Sequence, residues 1–299
     1  MQSINRPNLF VIGAMKSGST TLHELLGGHP DICMSEPKEP CFFVDPDVLN
    51  SIWPEMWARG YWKNEEAYLA LFSVKPSARY FGESSTDYTK LPAIDGVVER
   101  IAAYSPEARL LYIMRDPVDR TISHYWHMVE HRGETRSPIR AICEDSQYTD
   151  VSNYAMQIEP YIQRFGRDHL YTLTFEALTG DAQNTMRRVF HWLGLMTEFE
   201  TSSRATVHNV TPNQVHRMRV GMGWLRNLRR STLWERVGPM VPSGIRKLGV
   251  AMTERPVTRA KVDMSEVIEY LRPLQRRQTK VLIELLGREF PEWTSLYGK

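Results

Sequence analysis

The chain has 299 residues, 42% hydrophobic and 24% charged, a composition that buries a core and excludes a disordered or low-complexity polypeptide. Lysine and arginine number 37 against 35 acids, leaving a formal charge of +2, so no global basic field points to nucleic acid and an anion site must be local. The three cysteines, Cys33, Cys41 and Cys143, suit neither a disulfide framework nor a metal spacing. No apolar run approaches the length of a membrane span, and residues 1–7 lack the apolar core of a signal peptide, so the expectation is a cytoplasmic protein with no transmembrane segment.

In chain order, residues 8–13 (NLFVIG) form a short apolar run closed by glycine and predict a buried strand. Residues 20–26 predict a helix, stopped by Gly27-Gly28-His29-Pro30. A short strand is expected over 31–34. Residues 35–47, broken by Pro37, Pro40 and Pro46, are expected to be loop. A helix at 64–72, a strand at 79–82 and a helix at 93–103 follow. Arg109–Met114 (RLLYIM) is the clearest buried strand and leads into Arg115-Asp116-Pro117 and a helix over 118–131. Residues 132–150 are polar and loop-like. Helix, strand and helix recur at 153–165, 170–175 and 181–193. After Leu195 the pattern weakens, and between Val215 and Lys247 there are eight Lys or Arg and one acid, Glu235. A helix over Ser265–Leu286, ended by Gly287, is the last expected element. Strands alternating with helices predict an α/β fold with a central parallel sheet flanked by helices, its strand C-terminal ends on one ligand-binding edge. A single domain over 1–299 is expected, with 200–262 as a lid or substrate-binding segment.

Two segments carry anion chemistry. Gly13-Ala14-Met15-Lys16-Ser17-Gly18-Ser19-Thr20-Thr21 joins the first strand to the first helix. Glycine permits close backbone approach, the helix N-terminus offers N–H groups and partial positive charge, and Lys16 adds a full charge. The loop is not a P-loop NTPase motif, because lysine precedes Gly18 by two residues instead of following it. Arg115-Asp116-Pro117-Val118-Asp119-Arg120-Thr121-Ile122-Ser123 lies at a second strand end. Arg115 can fork onto a phosphate, and Ser123 falls two helical turns on, where its hydroxyl can donate to the same oxygens. Asp116 also reads as a helix cap with Pro117 at the first helical position. Two anion sites on one sheet edge point to a ligand with two separated phosphates.

These residues resemble the sulfotransferases that use 3′-phosphoadenosine 5′-phosphosulfate (PAPS). Lys16-Ser17-Gly18-Ser19-Thr20-Thr21 is similar to the family loop that holds the 5′-phosphosulfate. Arg115 through Ser123 is similar to the segment that holds the 3′-phosphate. Leu26-Gly27-Gly28-His29-Pro30-Asp31, Lys38-Glu39-Pro40-Cys41-Phe42-Phe43, Gly82 through Tyr88 and Phe190 through Leu195 look like segments of carbohydrate sulfotransferases, the heparan sulfate type and bacterial homologues above all. The resemblance implies a P-loop-like nucleotide-binding sulfotransferase fold and sulfuryl transfer from PAPS to a hydroxyl of a sugar or secondary metabolite, with no metal required. It implies that Lys16, Ser17, Gly18, Ser19, Thr20, Thr21, Arg115 and Ser123 hold the donor. It also implies that Lys16 assists the leaving phosphate and that Glu39, just before Phe42-Phe43, is the base, with Glu36 as its rival. Aryl and steroid sulfotransferases use a histidine in the stretch matching residues 82–88, which has none here. The heparan enzymes often carry lysine where this chain has Ser84 and histidine where it has Cys41. A nucleotide-dependent phosphotransferase and a non-catalytic nucleotide-binding module are the alternatives.

Other features stay open on sequence alone. His124, His127 and His131 recur at i, i+3 and i+7, a spacing that suits a half-exposed helix face better than a metal site. Trp53, Trp57, Tyr61 and Trp62 are either core aromatics or a stacking wall. The basic stretch from Arg217 to Arg230 is a solvated lid, a guide for an anionic acceptor or a contact for a membrane surface.

Overall fold

Every residue of Leu9–Gly13 is buried, and its side chains leave on alternate faces: Leu9 and Val11 to one core, Phe10 and Ile12 to the other. A strand covered on both faces needs apolar residues at every position, which is why it reads as a continuous run. The computed structural model describes residues 6–197, 214–218 and 254–298. In it β1 (Leu9–Gly13), β2 (Ile32–Met34), β3 (Tyr80–Ser84), β4 (Arg109–Met114) and β5 (Leu170–Thr174) form one parallel sheet in the order β2-β3-β1-β4-β5. Leu9 lies opposite Gly82 on one side and Arg109 on the other.

Six principal helices cover the sheet: α1 (Ser19–Gly28), α2 (Val97–Tyr104), α3 (Pro117–His127), α4 (Tyr154–Phe165), α5 (Ala182–Trp192) and α6 (Ser265–Leu286). Leu22, Leu25 and Leu26 of α1 and Met186, Val189 and Phe190 of α5 pack on the Leu9/Val11 face. Ile101 of α2, Val118 and Tyr125 of α3, Ile158 of α4 and Leu271 of α6 pack on the other. After β1 the chain crosses to the β2–β3 side, and after β3 it passes over to β4. The crevice therefore opens between the C-terminal ends of β1 and β4, with α1 and α3 starting on opposite faces of the sheet, the position where ligands of open α/β sheets bind.

Several expectations change. Residues 132–150 are not all loop: Pro138–Glu144 and Gln147–Asp150 are short helices. Their buried Ala141, Ile142 and Tyr148 supply the contacts that composition hides. A helix begins at Pro46, because the Asp45 side chain accepts from the N–H groups of Asp47 and Val48. Phe175 starts a helix, Phe175–Gly180, instead of ending the strand. Of residues 200–262, β6 (Gln214–Met218) and β7 (Glu254–Thr258) form a separate antiparallel pair, followed by a turn at Arg259–Lys261. Val215 is buried in the main core. The rest of the basic stretch and the proposed lid lie outside the described residues.

Candidate active site

The loop after β1 is set by backbone geometry. Lys16 (φ 67°) and Gly18 (φ 93°) are left-handed, so the chain reverses tightly into α1. A Cβ on Gly18 would stand 2.7 Å from the Phe175 ring, so the position combines a left-handed φ with a steric limit. The first ladder bond of α1 runs from Leu22 N–H to Gly18 O at 3.1 Å. The N–H groups of residues 19–21 therefore precede the ladder at the sheet edge, at the positive end of the helix.

The second segment shares its positioning between strand and helix. The Arg115 backbone is held from both sides: its N–H donates to the Tyr154 hydroxyl at 3.2 Å, and the Tyr154 hydroxyl donates to its carbonyl at 2.6 Å. Its guanidinium lies 5.0 Å over the Phe175 ring. Phe175 thus touches both anion segments from the end of β5. Asp116 is a cap, with Oδ1 accepting from Val118 N–H at 3.0 Å and Oδ2 from Leu296 N–H at 2.9 Å. The capping reading and an Arg115 side chain open to the crevice hold together. Arg120 is fully buried, donating to Ser152 and to the Tyr148 carbonyl, and ties α3 to the segment before α4.

A cavity of about 740 Å³ fills the crevice, and Lys16, Gly18, Ser19, Thr20, Glu39, Arg115 and Ser123 all line it. Ser17 and Thr21 are buried and are not among its lining residues. Burial first, and the Arg115 charge second, lower the proton affinity of Lys16. Glu39 has a left-handed backbone (φ 62°). Its N–H donates to Ser84 O at 3.0 Å, and its carboxylate takes hydrogen bonds from Lys38 Nζ and, at 3.3 Å, from Thr86 Oγ1. Glu36 is exposed and lies outside the cavity lining.

Beneath Glu39 lies a carboxyl that sequence reasoning passed over. Glu83 is fully buried and accepts from Tyr68, Tyr88 and Ser85. Burial pushes it up to about 7, against the pull of those three hydroxyls. Nothing in its local pattern separates it from a solvated strand acid.

The histidines divide. His124 is buried against Tyr148, and burial holds its proton affinity well below the usual imidazole range, so the expected half-exposed face is corrected at this position. His127 and His131 line the cavity with ring centroids 4.6 Å apart. The π turn Met128–Arg132 continues α3 there. Burial, then Lys16, lowers His127 to about 3, so it is neutral at physiological pH. Among the tryptophans Trp53 lines the cavity, while Trp57 and Trp62 stack on each other at 5.7 Å against the core. Lys38, Lys90, Arg132, Phe175 and Arg259 also line it and were not foreseen. Arg259, from beyond β7, lies 5.7 Å over the Trp126 ring. Apart from Lys38, which neighbours Glu39 in its segment, these residues come from stretches with no motif, so only their convergence at one edge reveals them.

The sulfotransferase family model matches residues 7–199. The chain belongs to the sulfotransferase family. It is 27% identical over 201 residues to mouse heparan sulfate glucosamine 3-O-sulfotransferase 3B1, covering 63% of this chain and 46% of that protein. It is 25% identical over 209 residues to human bifunctional heparan sulfate N-deacetylase/N-sulfotransferase 1, covering 63% of this chain and 22% of that protein. The chain thus matches less than half the length of these curated relatives. A sulfotransferase from Alicyclobacillus acidocaldarius superposes with a TM-score of 0.67 at 24% identity, over 96% of this chain and 98% of that one, and shares the fold. Both anion segments and Glu39 fall inside the matched region.

Proposed function

We propose that the protein transfers the sulfuryl group of PAPS to a hydroxyl of a small-molecule or carbohydrate acceptor. The observation that carries this reading is the convergence of the Lys16 loop, Arg115 with Ser123, and Glu39 on one cavity. Its residues fit the donor. The α1 N-terminus with Lys16, Ser19 and Thr20 suits the 5′-phosphosulfate, and Arg115 with Ser123 suits the 3′-phosphate. Ser17 and Thr21, whose side chains are buried, would serve through the backbone of the loop.

In the reaction the acceptor oxygen forms a bond to sulfur as the bond from sulfur to the bridging phosphate oxygen breaks. Glu39 takes the acceptor proton, held in orientation by Lys38 and Thr86. Lys16 stabilises the charge that appears on the leaving phosphate oxygen. His127, kept neutral, adds no charge beside Lys16. A magnesium-dependent phosphotransferase is disfavoured by the donor set, because Asp116, the acid at the β4 end, spends both oxygens on backbone N–H groups. The heparan sulfate named in the relatives' descriptions supports a sugar acceptor. All three cysteines are unpaired, which suits a reducing compartment such as the cytoplasm. Among the described residues no helix is long and apolar enough to cross a membrane.

Calorimetry tests the donor. 3′-Phosphoadenosine 5′-phosphate should bind more tightly than ATP and without Mg²⁺. Arg115→Ala should cost that ligand about 1.5–3 kcal/mol, the worth of a charge-assisted hydrogen bond, and leave adenosine 5′-phosphosulfate nearly unaffected. Tighter, Mg²⁺-dependent ATP binding would defeat the reading.

A further inference from the structure

Two neighbouring non-glycine residues, Glu39 (φ 62°) and Cys41 (φ 53°), hold left-handed backbone in the loop that brings Glu39 to the cavity. Such backbone persists only where the surroundings over-determine it. Here Glu39 N–H is held by the Ser84 carbonyl at 3.0 Å, and the backbone that follows it by two hydrogen-bond relays that begin on one buried carboxylate. Glu83 Oε2 accepts from Ser85 Oγ at 2.6 Å, and Ser85 Oγ accepts from Cys41 N–H at 3.2 Å. Glu83 Oε1 accepts from the Tyr88 hydroxyl at 2.8 Å, and that hydroxyl accepts from Phe43 N–H at 3.3 Å. Tyr68 gives Oε1 a second donor at 2.7 Å.

The relays have a direction. An ionised carboxylate only accepts, so the Ser85 and Tyr88 hydroxyls must point their protons at Glu83 and turn their lone pairs to the loop N–H groups. Burial, and next the Glu83 charge, keep Tyr68 and Tyr88 protonated as donors. Burying a carboxylate is costly unless its hydrogen bonds are satisfied; here two of its three donors, Ser85 and Tyr88, also accept from N–H groups of the loop, and the third, Tyr68, stacks on Phe42 at 3.9 Å.

We propose that Glu83 is a positioning residue for sulfuryl transfer: acting through Ser85 and Tyr88, its carboxylate fixes the backbone of residues 41–43 and with it the placement of Glu39 in the cavity. This rests on the reading of Glu39 as the base. Glu83 touches neither the cavity nor the reacting atoms.

Glu83→Gln keeps the shape and puts an NH₂ donor where an acceptor stood, so one relay must break: its hydroxyl then faces a donor on either side, because the loop N–H cannot accept. In the full chain at pH 8, amide hydrogen exchange of residues 39–43 should speed up by about tenfold or more while β1 and β4 stay protected. Ser85→Ala should loosen Cys41 alone, and Tyr88→Phe should loosen Phe43 alone. Turnover of labelled PAPS, with a glucosamine oligosaccharide pool or water as acceptor, should fall about 10–100-fold in Glu83→Gln, the scale of an ångström misplacement. Affinity for 3′-phosphoadenosine 5′-phosphate should be unchanged. Unaltered exchange at 39–43, or loosening spread over the whole sheet, overturns the proposal. Full turnover in Glu39→Gln would instead overturn the base assignment and leave the exchange result to judge Glu83 by itself.

Discussion

Glu39 and Glu36 are three residues apart, and the fold gives them opposite circumstances. Glu39 lines the cavity and is held by Lys38 and Thr86, whereas Glu36 is exposed outside it. Glu39→Gln keeps the size and removes the basicity. Turnover of labelled PAPS should fall roughly 10²–10⁴-fold, the usual share of a general base, with nucleotide affinity nearly unchanged. Glu36→Gln should lose far less. A dead Glu36→Gln beside an active Glu39→Gln would reverse the assignment. Only the family resemblance, through the Phe42-Phe43 pair, singled out Glu39 in the sequence; residue type alone reads as a solvated loop acid. Lys38 and Thr86 as its partners were not legible, because Thr86 arrives from the end of β3, a chain segment 47 residues away.

At the scale of elements, the β1 loop and the β4–α3 junction were readable because each is a local solution. A strand must end, a helix must begin, and glycine, hydroxyl, Asp and Pro at those joints follow from capping and backbone reversal. β3 is different. Its pattern is that of a buried strand with an acid in it, and the acid carries a stability cost. Glu83 is raised from its ordinary 4.5 to about 7. Its contribution to stability is therefore fully present below about pH 4.5 and is lost as pH rises through about 7. The total is about 3 kcal/mol for a shift of this size. Thermal unfolding of the native protein relative to Glu83→Gln should accordingly move in favour of the variant between pH 4.5 and 8. A difference that stays flat with pH would mean that Glu83 ionises alike in the folded and unfolded chains. A destabilising ionised group behind the loop that carries Glu39 fits a positioning role better than a packing role.

Across the whole molecule, the C-terminal segment supports the site from behind. Phe290 and Trp293 stack at 4.1 Å, Trp293 lies against Tyr154, and Tyr154 brackets the Arg115 backbone. Gln275 of α6 donates to Thr121 Oγ1 at 2.8 Å and to the Pro117 carbonyl, and Leu296 N–H completes the Asp116 carboxylate. Trp293 is fully buried, so Trp293→Ala should cost about 3–5 kcal/mol in chemical denaturation, the range for removing a large buried aromatic. A loss under about 1 kcal/mol would mean that this segment is an appendage and not part of the main core.

The sequence by itself determined the α/β class, the buried strands β1 and β4, the helix Ser265–Leu286 and the two strand-to-helix junctions that follow β1 and β4, because each depends on residues within a few positions of one another. Hydrophobic period, glycine and proline punctuation and helix-end chemistry are local quantities, and they survive in a one-dimensional string. Only the tertiary structure decided the strand order, the burial of Arg120, His124 and Glu83, and the meeting of Phe175, Lys90 and Arg259 around the cavity. Those facts depend on which distant segments share a sheet edge. A charged residue looks the same in the string whether it will face water or be enclosed by three hydroxyls, and for Glu83 it is the enclosure that determines its charge state and the direction of its hydrogen bonds.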